Sequence, residues 1–254
     1  MDFVAIGALE GPAFDQAMQA TAMGVSAGIL AAGPDTPAMR GRVKALKEAG
    51  ADVSAIALGE QARVDCDAIT RHEGLLTRAR GCTLNLDAPV EAINHAAALL
   101  RRVNCAVVLH PARPVALNRA LLFLTGYVAC DGAQLAAAAG MQAGSVDQAF
   151  AAADQLTRMG AGMVVNPRAD GCALVYTRAG RRVRPPMPVN GRIWPAHAGV
   201  CAGALGAALA MGLDGGDGAQ LALAAGTLFS AFEGGFYPTL EQAVSLVEFG
   251  DPVR

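Results

Sequence analysis

The strand-like runs of this chain are apolar almost from end to end, and that constrains its fold more than any other feature. Val25–Ala31, Cys82–Leu86, Cys105–Leu109, Gly126–Cys130 and Met163–Val165 carry few polar residues. A strand with one face in water alternates polar and apolar side chains, whereas a strand buried on both faces does not. Between these runs lie segments of helical pattern: Asp35–Ala49, Val90–Arg102, Gly132–Ala139 and Ser145–Met159, the last with a serine at its N-cap position. Strands alternating with helices predict a mostly parallel sheet covered on both faces, a three-layer α/β/α sandwich. Phe3–Ile6 reads as the first strand, and Cys172–Thr177 with Arg181–Arg184 as a hairpin. About Gly218–Phe232 and Thr239–Phe249 read as two closing helices.

The 254 residues suit a single domain over 1–254. With 53% hydrophobic and 17% charged residues the chain can fill a large core, which argues against disorder. A net charge of −2 gives no electrostatic case for nucleic acid or an anionic membrane. The densest basic run, Arg178, Arg181, Arg182 and Arg184, flanks Gly180 and reads as an exposed hairpin turn. Six cysteines, at 66, 82, 105, 130, 172 and 201, form no C-x-x-C pair and sit mostly in apolar runs. They point to a reduced, cytoplasmic protein without disulfides or zinc. The start at Met1-Asp2 has no basic run of the signal-peptide kind. Ala196–Leu213 is nearly free of charge and long enough for a bilayer, but it is mostly Ala and Gly and contains His197, so a buried core helix is expected. The loop Leu213–Gly218 lacks the ligand spacing of an EF-hand.

A Gly/Ala-rich turn, Ile193-Trp-Pro-Ala-His-Ala-Gly-Val-Cys-Ala-Gly-Ala-Leu205, runs into an apolar helix expected from Cys201 to about Leu213. Its layout resembles the anion-hole motif of ribokinase-like (PfkB-type) carbohydrate kinases, D-T-T-G-A-G-D-x-F-x-G-A-L. Ala202-Gly-Ala-Leu205 fits without a gap, while G-A-G-D falls on Ala196-His-Ala-Gly199. Gly199 thus stands where that family keeps its catalytic aspartate.

The resemblance covers most of the chain at the level of pattern. Glu10-Gly-Pro-Ala-Phe-Asp15 and the helix after it are similar to G-G-x-x-x-N, with Asp15 at the asparagine position. Ala32-Gly-Pro-Asp35 and Glu48–Val53 are similar to the V-G-D-D and G-V-D-T segments. Cys82–Pro89 resembles the strand and turn after the family's lid, and Leu109-His-Pro-Ala112 its N-P-A strand end, with His110 for asparagine. Cys130-Asp-Gly-Ala-Gln134 sits on P-N-x-x-E, which helps organise magnesium: Asp131 replaces the asparagine and Gln134 the glutamate. Val165–Gly171 sits on T-L-G-x-x-G, near the nucleotide phosphates. Ile56–Arg80 looks helical or irregular, with few β-branched residues, so the family's β-sheet lid is expected to be reduced or absent.

The resemblance implies a phosphotransferase fold using ATP and Mg2+ if active, with Asp15 and His110 in the substrate pocket. It also implies an anion site of Asn166, Arg168, Ala196, Ala198 and Gly199. Asp131 is the one candidate near a metal, and a helix N-cap is its simpler role. A glycine at 199 offers no proton acceptor, and a positioned base is worth roughly 10²–10⁴ in rate. His197 is the candidate substitute base; its ordinary alternative is packing or capping at a helix start. With Cys201 it also resembles the H-x-x-x-C of hydroxymethylpyrimidine kinases, in an offset that breaks the gapless match. The expectation is a pseudokinase that binds a sugar, nucleoside or nucleotide, or serves as a regulatory or structural subunit in a homo-oligomer or with a protein partner. The alternative is an active kinase for a sugar or nucleoside hydroxyl with a displaced base.

Overall fold

The computed structural model describes residues 1–232 and 235–250. In chain order its elements are β1 (Phe3–Ala8), α1 (Pro12–Ala22), β2 (Ala27–Gly33), α2 (Pro37–Glu48), β3 (Asp52–Leu58), α3 (Cys66–Arg71) and α4 (Glu73–Leu76). Next come β4 (Gly81–Asn85), α5 (Val90–Arg102), β5 (Ala106–His110), α6 (Arg119–Leu124), β6 (Tyr127–Ala129), α7 (Gly132–Ala139) and α8 (Val146–Met159). The chain closes with β7 (Met163–Pro167), β8 (Ala173–Thr177), β9 (Gly180–Arg184), α9 (Ala198–Ala210), α10 (Gly215–Ala231) and α11 (Leu240–Phe249).

One nine-stranded sheet runs in the order β3-β2-β1-β4-β5-β6-β7-β8-β9. Its first seven strands are parallel, and β8 and β9 return antiparallel as the expected hairpin. Every named strand lies in this sheet, so no lid sheet is present among the described residues. The sheet divides the core in two. Val4 and Ile6 of β1 point into one cluster with α5 and α8, while Phe3 and Ala5 point into the other with α1, α9 and α10. That two-sided burial is why the strands read as unbroken apolar runs.

Several elements depart from the sequence reading: α6 is not among the expected helices, and α10 begins at Gly215, inside the stretch Leu213–Gly218 read as a loop. Asp52–Leu58 is a strand, although part of it fell in the interval read as helical or irregular. It is an edge strand, only partly buried, and its Ala and Ser content carries little β signal. Helix α9 begins at Ala198, three residues before the expected Cys201. Its Ala and Gly residues allow close packing: a Cβ at Gly203 would fall 2.6 Å from Gln16 Cα of α1. Among the described residues no helix is long and apolar enough to cross a membrane.

Candidate functional site

Chain connections leave β1 in one direction, toward β2 and β3, and leave β4 in the other, toward β5 and β6. The gap between β1 and β4 is therefore the switch point of the sheet, where crevices form outside the carboxyl ends of parallel strands. The register shows it open. Pairing of β1 with β4 ends at Ile6 and Leu84, whereas β1 continues along β2 to Ala8, and β4 along β5 to Asn85.

Asp87 occupies that gap, two residues beyond the end of β4. Its Oδ1 accepts the Ala8 N–H at 3.1 Å, and its Oδ2 is buried without a partner. Burial pushes its carboxyl above the ordinary aspartate value, against the opposing pull of nearby N–H groups and Arg113. Two glycines make room for it: a Cβ at Gly7 would lie 2.7 Å from Oδ1, and one at Gly11 would lie 2.0 Å from Oδ2. Gly11 is also the N-cap of α1, whose first N–H groups have no carbonyl one turn back. Asp87 lines two clefts, one of about 240 Å³ with Glu10, Glu60 and Arg63, and one of about 390 Å³ with Arg113, Val115 and Leu117. Sequence reasoning passed over Asp87, because its role depends on two glycines nearly eighty positions away.

The residues singled out by sequence fall around the same edge of the sheet. Asp15 lies in the first turn of α1, where it accepts the Tyr237 hydroxyl at 2.6 Å. Tyr237 packs at a tilt against Phe229, centroids 5.3 Å apart, and Phe229 likewise against His197 at 5.1 Å. His110 ends β5 and is 2% exposed; its Nδ1 donates to the Ala129 carbonyl at 2.8 Å. Burial lowers its pKa to about 4, with His197 acting in the same direction, so the ring is neutral at pH 7.

His197 is the N-cap of α9, and its Nδ1 accepts the Val200 N–H at 3.3 Å. One of the three first-turn donors of the helix is thus taken by a side chain, leaving those of Ala198 and Gly199. A Cβ at Gly199 would meet the His197 ring at 3.2 Å and Pro12 Cβ at 3.5 Å, with no carboxylate among its nearest neighbours. The N-termini of α1 and α9 therefore abut, and the position facing both carries no acid.

A third cleft, of about 610 Å³, lies beside this end of α9 and is lined by Asp131, Gly132, Ala143, Pro167, Arg168 and Ala196 among others. That volume is in the range of small-molecule pockets. Arg168 borders it with its guanidinium donating to the Gly144 carbonyl at 2.9 Å and lying 3.4 Å from Asp170. Asn166 is fully buried; its Nδ2 donates to the Cys130 carbonyl and its Oδ1 has no partner. Asp131 and Gln134 form a capping box at the start of α7: Asp131 Oδ1 accepts the Gln134 N–H, and Gln134 Oε1 accepts the Asp131 N–H. Magnesium favours carboxylate and water oxygens. Here one carboxylate, half engaged in the cap, faces an amide that is 6% exposed, so the donor set does not fit that ion.

No family model matches the chain, and no curated protein matches it by sequence. Solved structures do match its fold. Ribokinase of Arabidopsis thaliana, in complex with ribose and ATP, superposes with a TM-score of 0.83 at 12% identity, covering 98% of this chain and 99% of the other. Ribokinase of Thermotoga maritima gives 0.80 at 14% identity over 98% and 99%. The 2-dehydro-3-deoxygluconokinase of Thermotoga maritima gives 0.76 at 14% identity over 97% and 98%. The chain has the ribokinase-type α/β/α fold.

Proposed function

We propose that this chain is a sugar-kinase-like protein that binds a small polyhydroxylated ligand at the β1–β4 crevice and does not transfer phosphate to it. The observation that carries the reading is Gly199. It stands in the first turn of α9, facing Pro12 and the His197 ring, where a proton acceptor for the ligand hydroxyl would be required. Without a positioned base a phosphotransfer loses roughly 10²–10⁴ in rate, or about 3–5 kcal/mol of barrier. The capping box at Asp131 and Gln134 adds to the loss, since it leaves magnesium poorly held. The binding half of the site keeps a polar group: Asp87, half-buried between two clefts, carries a carboxylate of which one oxygen has no protein partner.

The test is a thermal-shift screen of sugars, nucleosides and nucleotides, followed by a phosphotransfer assay with ATP and Mg2+ on each hit. The reading expects a sugar or nucleoside shift that Asp87→Ala removes, and no turnover. In a His197→Ser background, which vacates the space beside residue 199, Gly199→Asp is expected to create measurable turnover. Turnover by the native chain that disappears in His197→Ala would instead establish an active kinase with His197 as its base. A ligand-binding chain without turnover fits a regulatory or structural subunit, whose assembly with itself or a partner is read by its mass in solution.

A further inference from the structure

Beyond Ile6 and Leu84 the ladder between β1 and β4 is continued by side chains. Asn85 Nδ2 donates to the Ile6 carbonyl at 2.8 Å, and Asp87 Oδ1 accepts the Ala8 N–H at 3.1 Å. Behind them Gln16 of α1 closes a reciprocal amide pair with Asn85. Its Nε2 donates to Asn85 Oδ1 at 2.8 Å, and its Oε1 accepts from Asn85 Nδ2 at 2.8 Å and from the Thr83 hydroxyl at 2.7 Å. Gln16, Thr83 and Asn85 are wholly buried. Apolar side chains could fill that volume without needing partners, so a satisfied polar network there specifies geometry more than it adds adhesion. The backbones close in around it: a Cβ at Gly7 would fall 2.9 Å from Asn85 Cβ, and one at Gly203 would fall 2.6 Å from Gln16 Cα.

We propose that Gln16 and Asn85 are positioning residues: their amide pair sets the width of the gap between β1 and β4 and so holds the Asp87 carboxylate beneath Gly11. The functional meaning rests on Asp87 as the ligand-binding group, while the geometry does not. The charged groups that face Asp87 are Glu10 from the β1–α1 turn, Glu60 and Arg63 from the segment after β3, and Arg113 from the loop after β5. Arg63 is drawn aside toward Asp65, 3.4 Å away.

The experiment is a carboxyl-carbon NMR titration of Asp87 in the free protein. In the native chain the midpoint lies above the ordinary aspartate value, because burial opposes ionisation. Gln16→Met leaves Thr83 and Asn85 without their partner, lets the strand ends part and admits water. The midpoint then falls toward the ordinary range. Leu156→Ala, in α8 against β7 and β8, also lowers stability but leaves the midpoint in place. An unmoved midpoint in folded Gln16→Met, or an equal fall in Leu156→Ala, overturns the proposal. Should Gln16→Met not fold, Thr83→Val deletes one bond of the network and is read the same way: a smaller fall supports the proposal, and no fall overturns it. The titration needs no ligand, so its failure is distinct from a failure of the binding screen.

Discussion

Two neighbouring ends of the molecule have been treated in opposite ways. At the β1–β4 crevice, Gly7 and Gly11 make space, and an ionisable side chain fills it with one oxygen left over. At the start of α9, Gly199 also makes space, but what fills it is a helix cap, the His197 ring on the Val200 N–H. The first arrangement is a poor choice for stability alone, since a buried unpartnered oxygen costs about 1–3 kcal/mol. The second is ordinary stabilisation, an N-cap closing a helix. On the proposed reading, ligand chemistry belongs to the crevice, where the protein pays for it, and the end of α9 is structural.

Matched substitutions give the largest expected contrast. Gly7→Ala puts a Cβ 2.9 Å from Asn85 Cβ and 2.7 Å from Asp87 Oδ1, too close for either neighbour to stay in place. Overpacking of that kind costs about 1–3 kcal/mol. Gly199→Ala meets only the edge of the His197 ring at 3.2 Å and Pro12 at 3.5 Å, and it gains helix propensity of up to about 1 kcal/mol. Chemical denaturation should find Gly7→Ala clearly destabilised and Gly199→Ala unchanged or slightly more stable. Equal losses at both positions would erase the contrast between the two ends.

The contrast also explains what was legible in the sequence. Strands buried on both faces announce themselves as apolar runs, so β2, β4, β5 and β7 and the layer architecture could be read from composition and period. β3 could not, because at an edge its half-exposed Asp, Ser and Ala residues need no apolar pattern. The first turn of α9 was hidden for a local reason: histidine is an uncommon N-cap, and Ala198-Gly199 looks like a turn until Val200 donates to the ring. Asp131, by contrast, was readable as a cap, since its capping box is closed by a residue three positions on. Asp87 stands at the other extreme. Its neighbours come from β1, from the N-cap of α1 and from the loop after β5, and no local spacing encodes that meeting.

A smaller effect follows from titration. The Asp87 carboxyl is held above its unfolded value of 3.8, so protons bind it more readily folded than unfolded. Its cost to stability is absent below that unfolded value, grows as pH rises through the folded value, and is complete at neutral pH. Asp87→Asn should therefore be more favourable to stability at pH 7 than near pH 3, relative to the native chain, while removing ligand binding. Thermal unfolding of both proteins across that range checks the sign. A variant relatively less favourable at pH 7 would mean that Asp87 is there for packing, and the crevice would resemble the helix end after all.

The smallest effect discriminates most sharply, because it has opposite signs on stability and binding. His197→Ala removes a cap from α9, which costs about 0.5–1 kcal/mol. It also frees the Val200 N–H to join those of Ala198 and Gly199, at a helix end where anions are favoured. Affinity for an anion beside Arg168, read by calorimetry with ATP or pyrophosphate, should rise by up to about tenfold for one added charge-assisted bond. A ring that only fills space would weaken stability without strengthening anion binding, and a ring serving as catalytic base would abolish turnover. Because the three roles move stability, affinity and rate in different combinations, this one substitution separates a disarmed phosphate cradle from an inert cap and from a displaced base.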